Sequence, residues 1–372
     1  MAVRQVAKNQ VTKDGRSWVF NVIIYDTVGN KKRYGSKKYL TKQEAKEAET
    51  DFLTKVNTKE INVTDMTFKD LYDEFFEYKQ DKVKHTTIKT YIVNSKPLEV
   101  FWNLKIRDFT VQHYIKWRAD MAKRDLALKT KNGYHKFFKE LLNYGTKWHD
   151  FNFTSIYNKM EKFTDPNALP KEMEFYTFEE FKQYTSVIDD IKWKALFETL
   201  YYCGLRRGEL RGLSWDNIDF EEKTLSVVKN VTNINGDHGY WQLTTPKTRT
   251  SVRTIPMPDI LVNDLKELKE YNKKHQYMFT NKYFVFGDTS PLHPDVLRRK
   301  KNEIAELAGV KQIRIHDFRH SCASLLINNG ASIMVVAKYL GHAKIDETLN
   351  TYSHLFKNKM NEIVDLMNQL NS

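Results

Sequence analysis

Cysteine is almost missing from this chain: 372 residues carry two, Cys203 and Cys322, both inside apolar helical runs. That excludes a disulfide framework and points to a reducing compartment. Long hydrophobic runs are missing too. No stretch of 18 apolar residues occurs, and the opening MAVRQVAKNQ lacks the apolar core of a secretory signal, so a cytosolic protein without a membrane span is expected. Neither paired catalytic acids nor a Cys, His and carboxylate cluster with metal-ligand spacing stands out. Acidic residues are in the minority, 47 Asp and Glu against 60 Lys and Arg, for a net charge of +13. With 41% hydrophobic and 13% aromatic residues the chain can still build cores, which excludes a disordered basic tail. A polyanionic partner is expected, with nucleic acid leading. The length calls for two or three domains.

Residues 1–60 form a small basic unit, with 13 Lys and Arg against 7 Asp and Glu. SWVFNVIIYD alternates like a strand, TVGN turns, and KKRYGSKKYL returns; a helix follows from Thr41, with Glu44 at capping-box spacing. A three-stranded sheet backed by one helix would offer Lys31, Lys32, Arg33, Lys37 and Lys38 to a DNA groove. A solvated α+β domain whose lysines only confer solubility has the same pattern. Residues 66–157 read as four helices of roughly 10 to 18 residues. Lys84, His85, Lys129 and Lys131 cluster at their starts, where free backbone N–H groups assist phosphate contacts. Residues 158–174, with two prolines and no apolar period, are the expected linker. The unit 175–372 is expected to be mainly helical, with a small antiparallel sheet where the period changes to two after Thr224.

Chemistry concentrates in this last unit. In YYCGLRRGEL a helix ends at Gly204, Arg206 leaves the turn, and Glu209 can hold its guanidinium. Lys247 and Arg249 lie in PKTRTS, read as a hairpin tip between the last two strands. In IHDFRH, His316 and Arg319 at i and i+3 share a helical face and can meet one small anion. His320 starts toward a different side. In YLGH, His342 follows a helix-ending glycine, and Tyr352 comes ten residues later. A solitary helical tyrosine is ordinarily a half-buried amphipathic side chain. His316 and His320 also have zinc spacing, but Arg319 stands between them and no further ligand completes a set. Together, Arg206, Lys247, His316, Arg319, His342 and Tyr352 suit attack on a phosphodiester: arginines neutralise the nonbridging oxygens, a proton donor serves the leaving oxygen, and a phenol forms the covalent bond.

GLRRGEL, PKTRTSVRTIP, HDFRH, YLGH and Tyr352, in that order, resemble the tyrosine recombinase (phage integrase) family across about 173–360. More weakly, the upstream part resembles integrases of temperate phages and integrative conjugative elements. The resemblance implies an arm-site DNA-binding domain (1–60), a SAM-like core-binding domain (66–157) and a catalytic domain of the DNA breaking-rejoining type. It implies that Tyr352 forms a 3′-phosphotyrosyl link, that Arg206 and Arg319 hold the phosphate, and that Lys247 is the general acid. His316 would assist proton transfer from the tyrosine, and His342 would hydrogen-bond the phosphate. No cofactor or metal is implied. The implied partners are double-stranded DNA with core and arm sites, a homotetramer whose tail (355–372) docks on a neighbour, an excisionase and a host DNA-bending protein. The implied setting is the bacterial cytosol, at the nucleoid. A noncatalytic DNA-binding regulator and a type IB topoisomerase-like enzyme are the other readings; chromosome-dimer recombinases typically lack a basic arm unit.

Overall fold

The computed structural model describes residues 3–25, 31–58, 62, 64–167, 173–233, 241–244, 252–352 and Asn368. The chain forms two compact units, 1–169 and 170–372.

The first unit opens with an antiparallel sheet of β1 (Val3–Gln5), β2 (Trp18–Tyr25) and β3 (Lys31–Gly35), with β2 in the middle. Helix α1 (Lys42–Asn57) covers one face: Phe52 lies against Phe20 and Tyr34, with ring centroids 5.7 and 6.0 Å apart. Thr41 caps α1 by accepting the Glu44 N–H at 3.1 Å, while the Glu44 carboxylate takes the Leu40 N–H. Strand alternation turns Ile23 and Tyr25, 44% and 65% exposed, to the uncovered face.

Helices α2 (Phe68–Gln80), α3 (His85–Ser95), α4 (Val111–Lys123), α5 (Leu128–His149) and α6 (Thr154–Tyr157) follow. Their core is aromatic, built around Phe68, Phe101, Phe109, Trp117 and Phe138. Two elements differ from the sequence reading. The run from His85 does not stay α-helical: Lys96–Phe101 is a 3-10 turn containing Pro97, which has no N–H for the helical ladder. Helix α5 spans 22 residues, beyond the expected 18, and stops only where Asp150 turns left-handed at φ 55°.

The second unit contains α7 (Phe178–Ser186), α8 (Ile191–Cys203) and α9 (Arg207–Arg211). Next come β4 (Ile218–Asp219), β5 (Thr224–Val227), β6 (Asn230–Asn233), β7 (Trp241–Thr244) and β8 (Arg253–Pro256). Helices α10 (Asp259–His275), α11 (Pro294–Leu307), α12 (Asp317–Asn328), α13 (Ile333–Leu340) and α14 (Ile345–Tyr352) complete it. Helix α8 is buried along most of its length and packs on both α10 and α12. All pairs among the described strands are antiparallel, but the last two of these strands are not partners. β8 pairs with β5 and β7 with β6, so they belong to separate sheets rather than one hairpin. Both cysteines are buried and free. No described helix is long and apolar enough to cross a membrane.

Candidate active site

Arg319 sits in the first turn of α12 and is 1% exposed. A buried guanidinium needs its charge answered, and among the described residues no carboxylate pairs with it. Its Nη1 donates to the Gly204 carbonyl at 2.9 Å and its Nη2 to the Leu340 carbonyl at 2.6 Å. Those carbonyls end α8 and α13, where the helix dipoles place partial negative charge. Gly204 makes this clamp possible. It holds φ +60°, and a Cβ there would lie 2.7 Å from Leu340 Cδ2 and 3.1 Å from Cys322 Sγ. Burial, then the charges of Arg206 and Arg253, push the Arg319 pKa down to about 9, which leaves it protonated at neutral pH.

Arg206 caps α9. Its backbone N–H donates to Glu209 Oε2 at 3.0 Å, its Nη1 to Glu209 Oε1 at 2.9 Å, and its Nη2 to the Gly341 carbonyl at 3.5 Å. Glu209, 3% exposed, also accepts from Arg253 Nη2 at 3.0 Å. Arg253 in turn donates from Nε to the Tyr339 carbonyl at 2.9 Å. Burial would raise the Glu209 pKa, but the Arg253 charge, its hydrogen bond and the Arg206 contacts outweigh burial and hold it below the usual carboxylate range. One carboxylate thus fixes two guanidinium groups.

Gly341 ends α13 in the left-handed conformation, and the His342 N–H returns to the Ala337 carbonyl at 3.0 Å. His342 Nδ1 lies 2.6 Å from Thr348 Oγ1. Burial, then the Arg319 and Arg206 charges, lower its pKa to about 3, so the ring is neutral. Tyr352, 1% exposed at the end of α14, has its hydroxyl 2.7 Å from His320 Nδ1. Burial raises its pKa, and the nearby Arg319 charge only partly offsets this. His316 caps α12 on the exposed side, its ring edge-on to that of His320 with centroids 5.0 Å apart. Beside His316 runs a groove of about 800 Å³, also lined by Arg207, Arg298, Asn302 and Arg314, with Asp295 the acidic residue on its wall. Among the described residues no group of three or more His, Cys, Asp or Glu side chains is gathered as a metal site.

Arg206, Arg319, His342 and Tyr352 therefore meet where the ends of α8, α13 and α14 surround the start of α12, with His316 at its rim. Lys247 and Arg249 lie outside the described residues, as does the tail 355–372 except Asn368. Of the other basic candidates, Lys31 and Arg33 are exposed on β3, opposite Tyr25 and Ile23. Lys32 pairs with Ile24 in the sheet. Lys37 lies 5.7 Å from the Tyr39 ring centre, and Lys38 donates to the Gln10 carbonyl. Lys84 and His85 are exposed at the start of α3 and Lys129 at that of α5, whereas Lys131 donates to the Ala122 carbonyl at 2.9 Å. Two site residues escaped the sequence reading. Arg253 was legible from strand alternation, which sets it on the same face as buried Ile255. His320 shares the i, i+4 face of His316, not a different side, and meets the tyrosine.

Residues 174–359 match the phage integrase family, and residues 67–122 match the phage integrase N-terminal SAM-like domain. The ICEBs1 integrase of Bacillus subtilis is 27% identical over 294 residues, covering 75% of this chain and 76% of the relative. A XerC-like tyrosine recombinase of Caldanaerobacter subterraneus subsp. tengcongensis is 28% identical over 361 residues, 89% and 90% of the two chains. The Tn1549 transposon integrase, solved in complex with transposon right end DNA, shares the fold. Its TM-score is 0.64 at 22% identity, over 80% of this chain and 100% of that one. The chain belongs to the phage integrase family of tyrosine recombinases, site-specific enzymes that cleave and rejoin DNA.

Proposed function

We propose that this chain integrates and excises a mobile DNA element, using Tyr352 as the nucleophile that forms a 3′-phosphotyrosyl link. One observation carries the reading: a buried guanidinium, a second guanidinium, a neutral imidazole and a phenol meet at the ends of four helices, although 146 positions separate Arg206 from Tyr352. Nothing in an ordinary core requires that assembly. Fixed guanidinium groups suit a pentavalent phosphorus whose negative charge grows during attack, because they need no reorganisation as the charge develops.

In this reading Arg206 and Arg319 hold the nonbridging oxygens, and His342 hydrogen-bonds the phosphate. The Tyr352 oxygen bonds to phosphorus, His316 at the start of α12 assists the transfer of its proton, and the bond to the 5′-oxygen breaks. Lys247 gives a proton to that leaving oxygen. The bond energy stays in the protein link, so rejoining is the reverse reaction with a new 5′-hydroxyl. The exposed Lys31 and Arg33 face supports an arm-site role for residues 1–60; Lys84, His85 and Lys129 at helix starts support a core-site clamp over 66–157. The remaining expectations complete the reading: catalysis over 175–372, a homotetramer joined through the tail, an excisionase, a host bending protein and action at the nucleoid.

Two duplexes bearing candidate attachment sites, incubated with the protein in excess chelator and without nucleotide, test this. Recombinant strands are expected from wild type and none from Tyr352→Phe. Equal product from Tyr352→Phe, or tight site binding without strand transfer on any candidate pair, would overturn it.

A further inference from the structure

Among the described residues, the hydroxyl of Tyr352 meets the Nδ1 of His320 at 2.7 Å. The direction of that bond follows from the surroundings. A phenol 1% exposed is stabilised in its protonated form and so donates, which leaves Nδ1 as the acceptor and places the ring hydrogen of His320 on Nε2. His316 has no such contact with the tyrosine: it stands on the exposed side of α12 and meets His320 edge-on. When the phenolic oxygen bonds to phosphorus its proton must leave, and a base works only within hydrogen-bond reach of that proton.

We propose that His320 is a catalytic residue of this chain, taking the Tyr352 proton at Nδ1 as the oxygen–phosphorus bond forms. The inference rests on the reading of Tyr352 as nucleophile, and it moves the proton-accepting role from His316 to His320. The step balances: the Tyr352 O–H bond breaks, the O–P bond forms, the proton rests on Nδ1, and the bond from phosphorus to the 5′-oxygen gives its electron pair to that oxygen. On rejoining, His320 returns the proton to the departing phenol.

The charges facing His320 explain why the free protein stays at rest. Arg319 and Arg314 are cationic, Asp317 is anionic, Glu174 lines the cavity of about 360 Å³ beside the ring, and His316 touches it. Burial, then His316, lowers the His320 pKa to about 4, far below that of the phenol, so the proton stays on Tyr352. A phosphodiester seated on Arg319 brings a negative charge beside the imidazole, and an opposite charge raises a histidine pKa. Bound substrate therefore makes His320 the better base.

The test measures adduct formation on a nicked site duplex and on the same duplex with sulfur at the 5′ bridging position. Thiolate leaves without a proton, so loss of a general acid is forgiven on the sulfur substrate and loss of the base is not. With His320→Ala we expect adduct formation to fall about 100- to 10,000-fold on both substrates, the usual worth of a general base. Lys247→Ala should fall on the oxygen substrate alone. His320→Asn keeps an acceptor oxygen near the place of Nδ1 but is no base, and should stay slow on both. Site binding measured in parallel checks that each variant folds, with His320→Asn carrying the test if His320→Ala does not. Wild-type rates in either variant, or a faster His320→Ala, would overturn the proposal. Failure of the nucleophile reading looks different: no adduct from wild type, or an adduct from Tyr352→Phe.

Discussion

Replacing Glu209 by Gln should loosen the site and the fold together, by an amount the structure lets one work out. The Glu209 side chain is 3% exposed and its carboxylate accepts from the Arg206 N–H, Arg206 Nη1 and Arg253 Nη2, all between 2.9 and 3.0 Å. Arg206 is one-third exposed, so its ion pair is screened and worth about 0–1 kcal/mol. The Arg253 side chain is 7% exposed, and removing the charge opposite a buried partner costs about 3–5 kcal/mol. Gln keeps one acceptor oxygen, which places the expected loss near the lower end, about 3 kcal/mol. The pH dependence gives a second check. The folded pKa of Glu209 lies below its ordinary value, so its stabilisation is present above the unfolded value of about 4.3 and disappears as pH falls through the folded value. Urea unfolding at pH 7 should separate wild type from Glu209→Gln, and the gap should narrow below about pH 4. A gap under about 1 kcal/mol at pH 7, or one that does not narrow as pH is lowered, would refute the claim that this carboxylate anchors both arginines.

Other changes read other parts of the molecule. Gly204→Ala should lower thermal stability by at least about 1–2 kcal/mol, the cost of a left-handed L residue, and slow cleavage by moving a carbonyl that holds Arg319; an unchanged melting temperature would contradict this. Glu198, buried on α8, has its pKa raised to about 8, by burial first and then by Asp264. Its stabilisation is full below about pH 4.3 and is lost as pH rises through 8, so Glu198→Gln should flatten the wild-type decline between about pH 5 and 8 in urea titrations. Phe138→Ala should cost about 3–5 kcal/mol, since its ring lies against Phe101 and Trp117 with centroids 5.8 and 5.0 Å apart; denaturant midpoints measure it.

What could be read from the chain divides along physical lines. Helix ends were legible because caps are local: Thr41 with Glu44, and Gly204 and Gly341 after their helices, all act within a turn. The candidate site was legible for a related reason, since Arg206, His316 and His342 sit at helix starts or just past helix ends. Strand partnership was not local: PKTRTS looked like a hairpin tip, yet β8 found β5 and β7 found β6, a choice made by long-range pairing. Strand alternation sets Arg253 on the face of buried Ile255, but the contacts that give Arg253 and His320 their importance lie 44 and 32 residues away, beyond any local pattern. Lys38, read as offered to a DNA groove, and Lys131, read as a phosphate contact, donate to the backbone carbonyls of Gln10 and Ala122, something composition and spacing do not reveal.

The central claim is that Tyr352 bonds to the DNA phosphate. Trapping on a nicked attachment-site duplex, followed by denaturation and peptide mapping, tests it most directly. The account predicts a chelator-insensitive adduct on the peptide containing Tyr352, joined to a 3′-phosphate with a free 5′-hydroxyl released. An adduct on another residue, or one that survives in Tyr352→Phe, would contradict it.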